Sequence, residues 1–184
     1  MTARLAFAIW DERCQRHGCS SGIDDLTGRC LSCLAPSLCR YFLSVPTSHR
    51  NNRAALGIFA NPSTATPLVL DRTLTRWRNY CQTWGYGWSW TMNVDPWRST
   101  DSKAMRDGDD SRFANNTRIM RRMIPGADLI VCGWGELEPR RGPGVLALVR
   151  ELGRVPMALG INKSSGSPTH PLYLSAKLLP MVMS

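Results

Sequence analysis

The chain has 184 residues, 43% of them hydrophobic and 20% charged, which suits one domain with a real core and is too little for two of ordinary size. With Trp, Leu and Val spread throughout, this balance excludes intrinsic disorder, and no stretch approaches the ~20 apolar residues of a membrane-spanning helix. The formal net charge is +9 and the pI about 9.7, so the expected partner is a polyanion, nucleic acid and DNA first, because neutralising phosphates releases condensed counterions.

From the N-terminus, the apolar run Leu5 to Trp10 is too short for a signal-peptide core and meets Asp11-Glu12 at once. The expected compartment is therefore the cytoplasm, where the seven cysteines form no structural disulfides. Five of them fall between positions 14 and 39, in the segment CQRHGCSSGIDDLTGRCLSC and just after it. Cys14-x-x-His17 and Cys30-x-x-Cys33 are two close pairs on either side of a turn-rich loop, a spacing that sets four ligands at tetrahedral corners around a structural zinc ion. Cys19 is an alternative to His17. The pattern resembles the C-x-x-H-G … G-R-C-x-x-C knuckles common in phage proteins, often beside nucleases. Residues 1–38 are accordingly expected to form a zinc-knuckle-like segment ahead of an α/β domain over 39–184.

The domain alternates strand-like and helix-like segments. Residues 40–45 and 54–60 predict strands. Leu70, Leu74, Trp77, Cys81 and Trp84 make one apolar stripe, which predicts a helix over 72–84 capped by Asp71. Residues 88–94 predict a strand in which Trp88, Trp90 and Met92 alternate with Ser89, Thr91 and Asn93. A helix over 111–123 carries Arg112, Arg118, Arg121 and Arg122. A strand over 128–133, a helix over 143–152 stopped by Gly153, and a strand over 155–161 complete the order. Such alternation implies a mainly parallel sheet covered on both faces, with ligands at the carboxyl ends of its strands.

Four of those ends carry unusual chemistry. The strand over 54–60 runs into Asn61-Pro62-Ser63-Thr64. The strand over 88–94 ends at Asn93, with Asp95, Trp97 and Arg98 following; the strand over 128–133 ends at Gly133-Trp134-Gly135. A Gly- and Ser-rich loop leads to His170-Pro171-Leu172-Tyr173. In a parallel sheet these four clusters gather at one rim.

NPSTA (61–65), DRTLTR (71–76), WGYG (84–87), Asn93, RSTD (98–101), GWG (133–135) and GSPTHPLYL (166–174) together resemble domain-of-unknown-function family 1643 over residues 38–175. An acidic position after NPSTA is displaced, and an Asn-Asp pair stands as Asn115-Asn116, so no role at those acidic positions carries over. More distantly, the order of these strand-end motifs is similar to that of the uracil and mismatch DNA glycosylases. That resemblance implies a three-layer α/β/α fold, uracil-DNA-glycosylase-like, with Asn61 positioning an attacking water and His170 stabilising the leaving base.

The residue types suit that chemistry. Glycosidic cleavage leaves negative charge on the base, and an amide holds water without titrating. Asn93 is the expected reader of the base edge and Trp134 or Phe59 the stacking surface. Ser63, Thr64, Arg98 and Tyr173 join them as substrate-binding candidates, with Arg118 and Arg121 as contacts to the nucleic-acid backbone. Two other readings share these residues: a non-catalytic nucleic-acid or host-interaction protein of a phage, and a nucleotide-processing enzyme for modified bases.

Overall fold

The computed structural model describes residues 5–13, 15, 22–100, 110–136 and 140–183. Seven strands make one sheet: β1 (Phe7–Trp10), β2 (Arg40–Pro46), β3 (Ala54–Phe59), β4 (Trp88–Asn93), β5 (Leu129–Cys132), β6 (Pro156–Ala158) and β7 (Met181–Val182), in the order β1-β2-β4-β3-β5-β6-β7. The four inner strands β4, β3, β5 and β6 run parallel. β2 and β1 on one side and β7 on the other are antiparallel to their neighbours. The sheet is therefore mixed rather than mainly parallel, with its parallel part confined to the centre. β1 lies in the segment that the sequence set apart as 1–38, yet it pairs with β2 through Phe7↔Ser44 and Ala8↔Leu43 and belongs to the sheet.

Every residue of β3 is buried, because helices cover both of its faces. Leu56 and Ile58 pack with Ile119 and Met120 of α2 (Asp110–Met123) and with Val145, Leu148 and Val149 of α3 (Gly142–Glu151). Ala55 and Phe59 turn the other way, onto Leu74, Trp77 and Cys81 of α1 (Arg72–Thr83). This is the period-two alternation of a strand serving two cores. The stripe on α1 is the one its spacing predicts, and Asp71 caps the helix by accepting from Leu74 N–H at 2.9 Å. β4 is less completely covered: Ser89, Thr91, Met92 and Asn93 are buried, whereas Trp88 and Trp90 are half-buried.

Trp77 fits closely against β3 because position 57 has no side chain. A Cβ there would sit 2.8 Å from the Trp77 indole and 2.5 Å from the Phe59 ring. Gly57→Ala should therefore cost about 1–3 kcal/mol through overpacking of a close-packed interior. Chemical denaturation measures it, and an unchanged midpoint would contradict the close approach.

Beyond α1 the chain is held by its C-terminal segment. Tyr80 Oη donates to Ser175 O at 2.6 Å, Trp84 Nε1 donates to Leu178 O at 3.2 Å, and Arg76 donates to Leu174 O. No helix among the described residues is long and apolar enough to cross a membrane.

Candidate functional site

At the carboxyl edge of β3 and β4, on the face covered by α1, lies a cleft of about 390 Å³. Phe59 and Asn93 are register partners at the ends of these parallel strands, and both line it, together with Asn61, Ser63 and Asp71. His170 joins from the far end of the chain, and its placement has a local cause. Gly135 N–H donates to Pro168 O and Thr169 N–H to Gly160 O, both at 2.9 Å, which fastens this loop to the exits of β5 and β6. Gly133 lets the loop approach, since a Cβ there would lie 3.1 Å from Pro171 Cδ. The His170 and Phe59 rings end 6.1 Å apart between centroids.

Hydrogen bonds orient each polar group. Asn61 Nδ2 donates to Ser99 O at 3.0 Å and to Pro62 O at 3.2 Å, which leaves Oδ1 as an acceptor. Asn93 is 2% exposed; its backbone carbonyl receives Asn116 Nδ2 at 2.9 Å, and its Oδ1 accepts from Arg40 Nη2 at 3.4 Å. Because an arginine only donates, this contact sets the amide with Nδ2 as its remaining polar group. His170 Nδ1 accepts from Leu172 N–H at 3.4 Å at the start of the 3₁₀ turn Pro171–Tyr173. The imidazole thus carries its proton on Nε2. Burial, opposed by the nearby Asp71 charge, holds its pKa below the usual 6.5, so the neutral donor form predominates at pH 7.

Of the other candidates, Ser63 and the strongly exposed Tyr173 line the cleft, whereas Thr64 is exposed and outside it. Trp134 is not a stacking surface. It is 2% exposed in the core on the α2 and α3 side, because residues 130, 132 and 134 share one face of β5 and its extension. Asp95, 1% exposed, sits near Arg112 and Arg141, and its pKa is raised by burial; it is not on the cleft lining. Arg98 is engaged elsewhere. It donates to Gly28 O at 3.0 Å and Ser63 O at 3.3 Å, and its guanidinium stands 4.9 Å over the Trp10 ring. Arg118 borders a separate mixed-charge groove with Asp11, Glu12 and Arg13. Arg121 is paired with Glu151 at 2.6 Å. Neither of these two arginines lines the cleft.

Arg40 is a cleft residue that sequence reasoning missed, and Asp71, expected only as the cap of α1, is another. β2 runs antiparallel to β4, so its first residue arrives where β4 ends. The available signal was a lone charge opening the buried run RYFLSV.

In the N-terminal segment, Cys14, His17 and Cys19 lie outside the described residues. Cys30 is buried and Cys33 half-buried, at the two ends of one turn closed by Leu34 N–H to Cys30 O at 3.0 Å, with Leu34 at φ 58°. No group of three or more potential metal ligands occurs among the described residues. Burial pushes the Cys39 and Cys132 thiols up to about 12, which makes them inert packing residues.

Parallel central strands, helices on both faces and convergent polar groups at the strand ends define an α/β protein with a ligand-sized cleft at its carboxyl edge. The chain belongs to the family described as "Protein of unknown function (DUF1643)", whose model matches residues 40–172. No curated protein and no solved structure matches it.

Proposed function

We propose that the cleft receives a nucleobase on its sugar and cleaves the bond between them, in the manner of a DNA glycosylase of uracil-DNA-glycosylase-like architecture acting on an unusual or modified base. The observation that carries this reading is the meeting of Asn61, Asn93 and His170 on one lining, although they lie 32 and 77 residues apart in the chain. Asn61 Oδ1 accepts a hydrogen bond from the attacking water, whose oxygen bonds to the sugar carbon as the base departs and whose proton passes to the base anion. His170 Nε2–H donates to the base as negative charge develops there, an interaction worth about 3–4 kcal/mol in comparable oxyanion sites. Asn93 Nδ2 meets a carbonyl on the base edge, and Phe59 and Tyr173 offer aromatic surface to its ring. Base release from oligonucleotides carrying uracil, mismatched or modified bases, run beside free nucleotides, tests the reading. No release from any of them would end it.

One observation favours a second reading, a nucleotide-processing enzyme acting on free nucleotides. Arg118 and Arg121, the cations expected to grip a strand, stand away from the cleft. A third, non-catalytic reading predicts salt-dependent binding of DNA without base release.

The neutral His170 has a pH signature. Its pKa is lowered by burial, so the neutral form is still the major one at pH 6.5. In more acid solution Nδ1 takes up a proton and can no longer accept from Leu172 N–H, which frees the ring from its orientation. Base release should therefore show an acid limb with its midpoint below pH 6.5; an acid limb centred above pH 7 would exclude His170 as the neutral donor.

The N-terminal segment is proposed to hold a structural zinc ion through Cys14, His17 or Cys19, Cys30 and Cys33, bracing the protein for a polyanion. The turn that joins Cys30 to Cys33 supports this. Elemental analysis should find about one zinc per chain, and a content near zero would remove the metal from the account.

A further inference from the structure

The cleft contains a cation that the described protein does not neutralise. Arg40 is 1% exposed, and its guanidinium has five N–H donors. Two are used: Nη1 donates to Ala65 O at 2.9 Å and Nη2 to Asn93 Oδ1 at 3.4 Å. Nε is buried with no partner among the described residues. No described carboxylate is within ion-pair distance. Burial draws its pKa down to about 10, with Asp71 opposing the shift, so it stays charged at neutral pH. A buried charge left in this state is costly unless a ligand compensates it.

The first turn of α1 borders the same cavity through Thr73 and Leu74. Leu74 N–H is taken by Asp71 Oδ1 and Thr75 N–H by Asp71 O. The N–H groups of Arg72 and Thr73, at the first two helical positions, have no carbonyl within the helix to receive them. Backbone donors with no carbonyl to receive them in the helix, at the positive end of twelve residues and beside an arginine whose Nε has no partner among the described residues, suit an anion.

We propose that Arg40 and the first turn of α1 form a phosphate-binding subsite, filled by the terminal phosphate of a free nucleotide. The rest of the ligand is taken from the nucleotide reading above, on which this assignment rests. Asp71, the one carboxylate among the described lining residues, selects among anions. A phosphate monoester at neutral pH still carries a proton on part of its population and can donate it to Asp71. A carboxylate ligand or the diester of a strand has no such proton.

Calorimetry on the full chain tests this with four probes: inorganic phosphate, a deoxynucleoside 5′-monophosphate, the matching nucleoside, and a trinucleotide without terminal phosphates. The monophosphate should bind about tenfold or more tightly than the nucleoside, the gain expected of charge-assisted hydrogen bonds. Phosphate should compete with it, and the trinucleotide should do no better than the nucleoside. Arg40→Met should erase the difference. Should that variant not fold, Arg72→Pro removes one first-turn donor where Asp71 is already extended at ψ 176°, and it should weaken the monophosphate relative to Arg72→Ala. Equal binding of nucleoside and monophosphate, without competition by phosphate, overturns the subsite and leaves base handling standing. A trinucleotide that binds as well as the monophosphate overturns the monoester assignment. Phosphate binding with no nucleotide binding keeps the subsite and removes the nucleotide reading.

Discussion

Asn61→Ala is expected to lower base release by about 10²-fold or more while the protein still folds. The rate loss follows from the acceptor role of Oδ1, since a group that holds the nucleophile in line with the reacting carbon contributes on this scale. Retention of the fold follows from the backbone. Asn61 Nδ2 holds Ser99 O at 3.0 Å, and its loss costs about 1 kcal/mol, but the separate bond from Ser99 N–H to Pro62 O at 3.0 Å keeps the two loops together. Single-turnover assays beside thermal unfolding separate these effects. A variant with wild-type turnover would remove Asn61 from the chemistry.

Trp77→Ala is expected to cost about 3–5 kcal/mol of stability, the range for truncating a buried tryptophan. Trp77 is wholly inaccessible. Its ring meets those of Phe59 and Trp84 edge to face, at 5.7 Å and 5.8 Å between centroids, and Nε1 donates to Trp90 O at 2.8 Å. Truncation would open a cavity beside Gly57, strand the Trp90 carbonyl and release the Phe59 ring that lines the cleft. Set against a typical total of 5–15 kcal/mol, the loss removes a large share of the protein's stability margin. Urea titration reads it directly, and a cost below about 1 kcal/mol would contradict the packing described for this face.

The inner elements were legible because each carried its own period. The stripe from Leu74 to Cys81, its Asp71 cap and the apolar strands 54–59 and 129–132 all stand close to where their spacing places them. So does the gathering of Asn61, Asn93 and His170, which needs β3 and β4 to run parallel and the loop before His170 to be fastened at the exits of β5 and β6. The face of each residue was also available by parity: Trp134 shares the side of Ile130 and Cys132, away from Phe59 and Asn93. The direction of β2 was not legible, because an apolar run has no polarity and only its pairing with β4 reverses it. That reversal is what delivers Arg40. β1 and β7, four and two residues long, are set by their neighbours rather than by their own sequence.

Arg98 makes the N-terminal segment and the cleft mechanically one piece. A single side chain leans on the Trp10 indole, grips the Gly28 carbonyl and reaches the Ser63 carbonyl. Unravelling the turn around residue 28 would strip that guanidinium of its bond to the Gly28 carbonyl, and the slack would appear at Ser63, on the rim where a ligand enters. Damage at one end of the chain is thus felt as looseness at the mouth of a distant hollow.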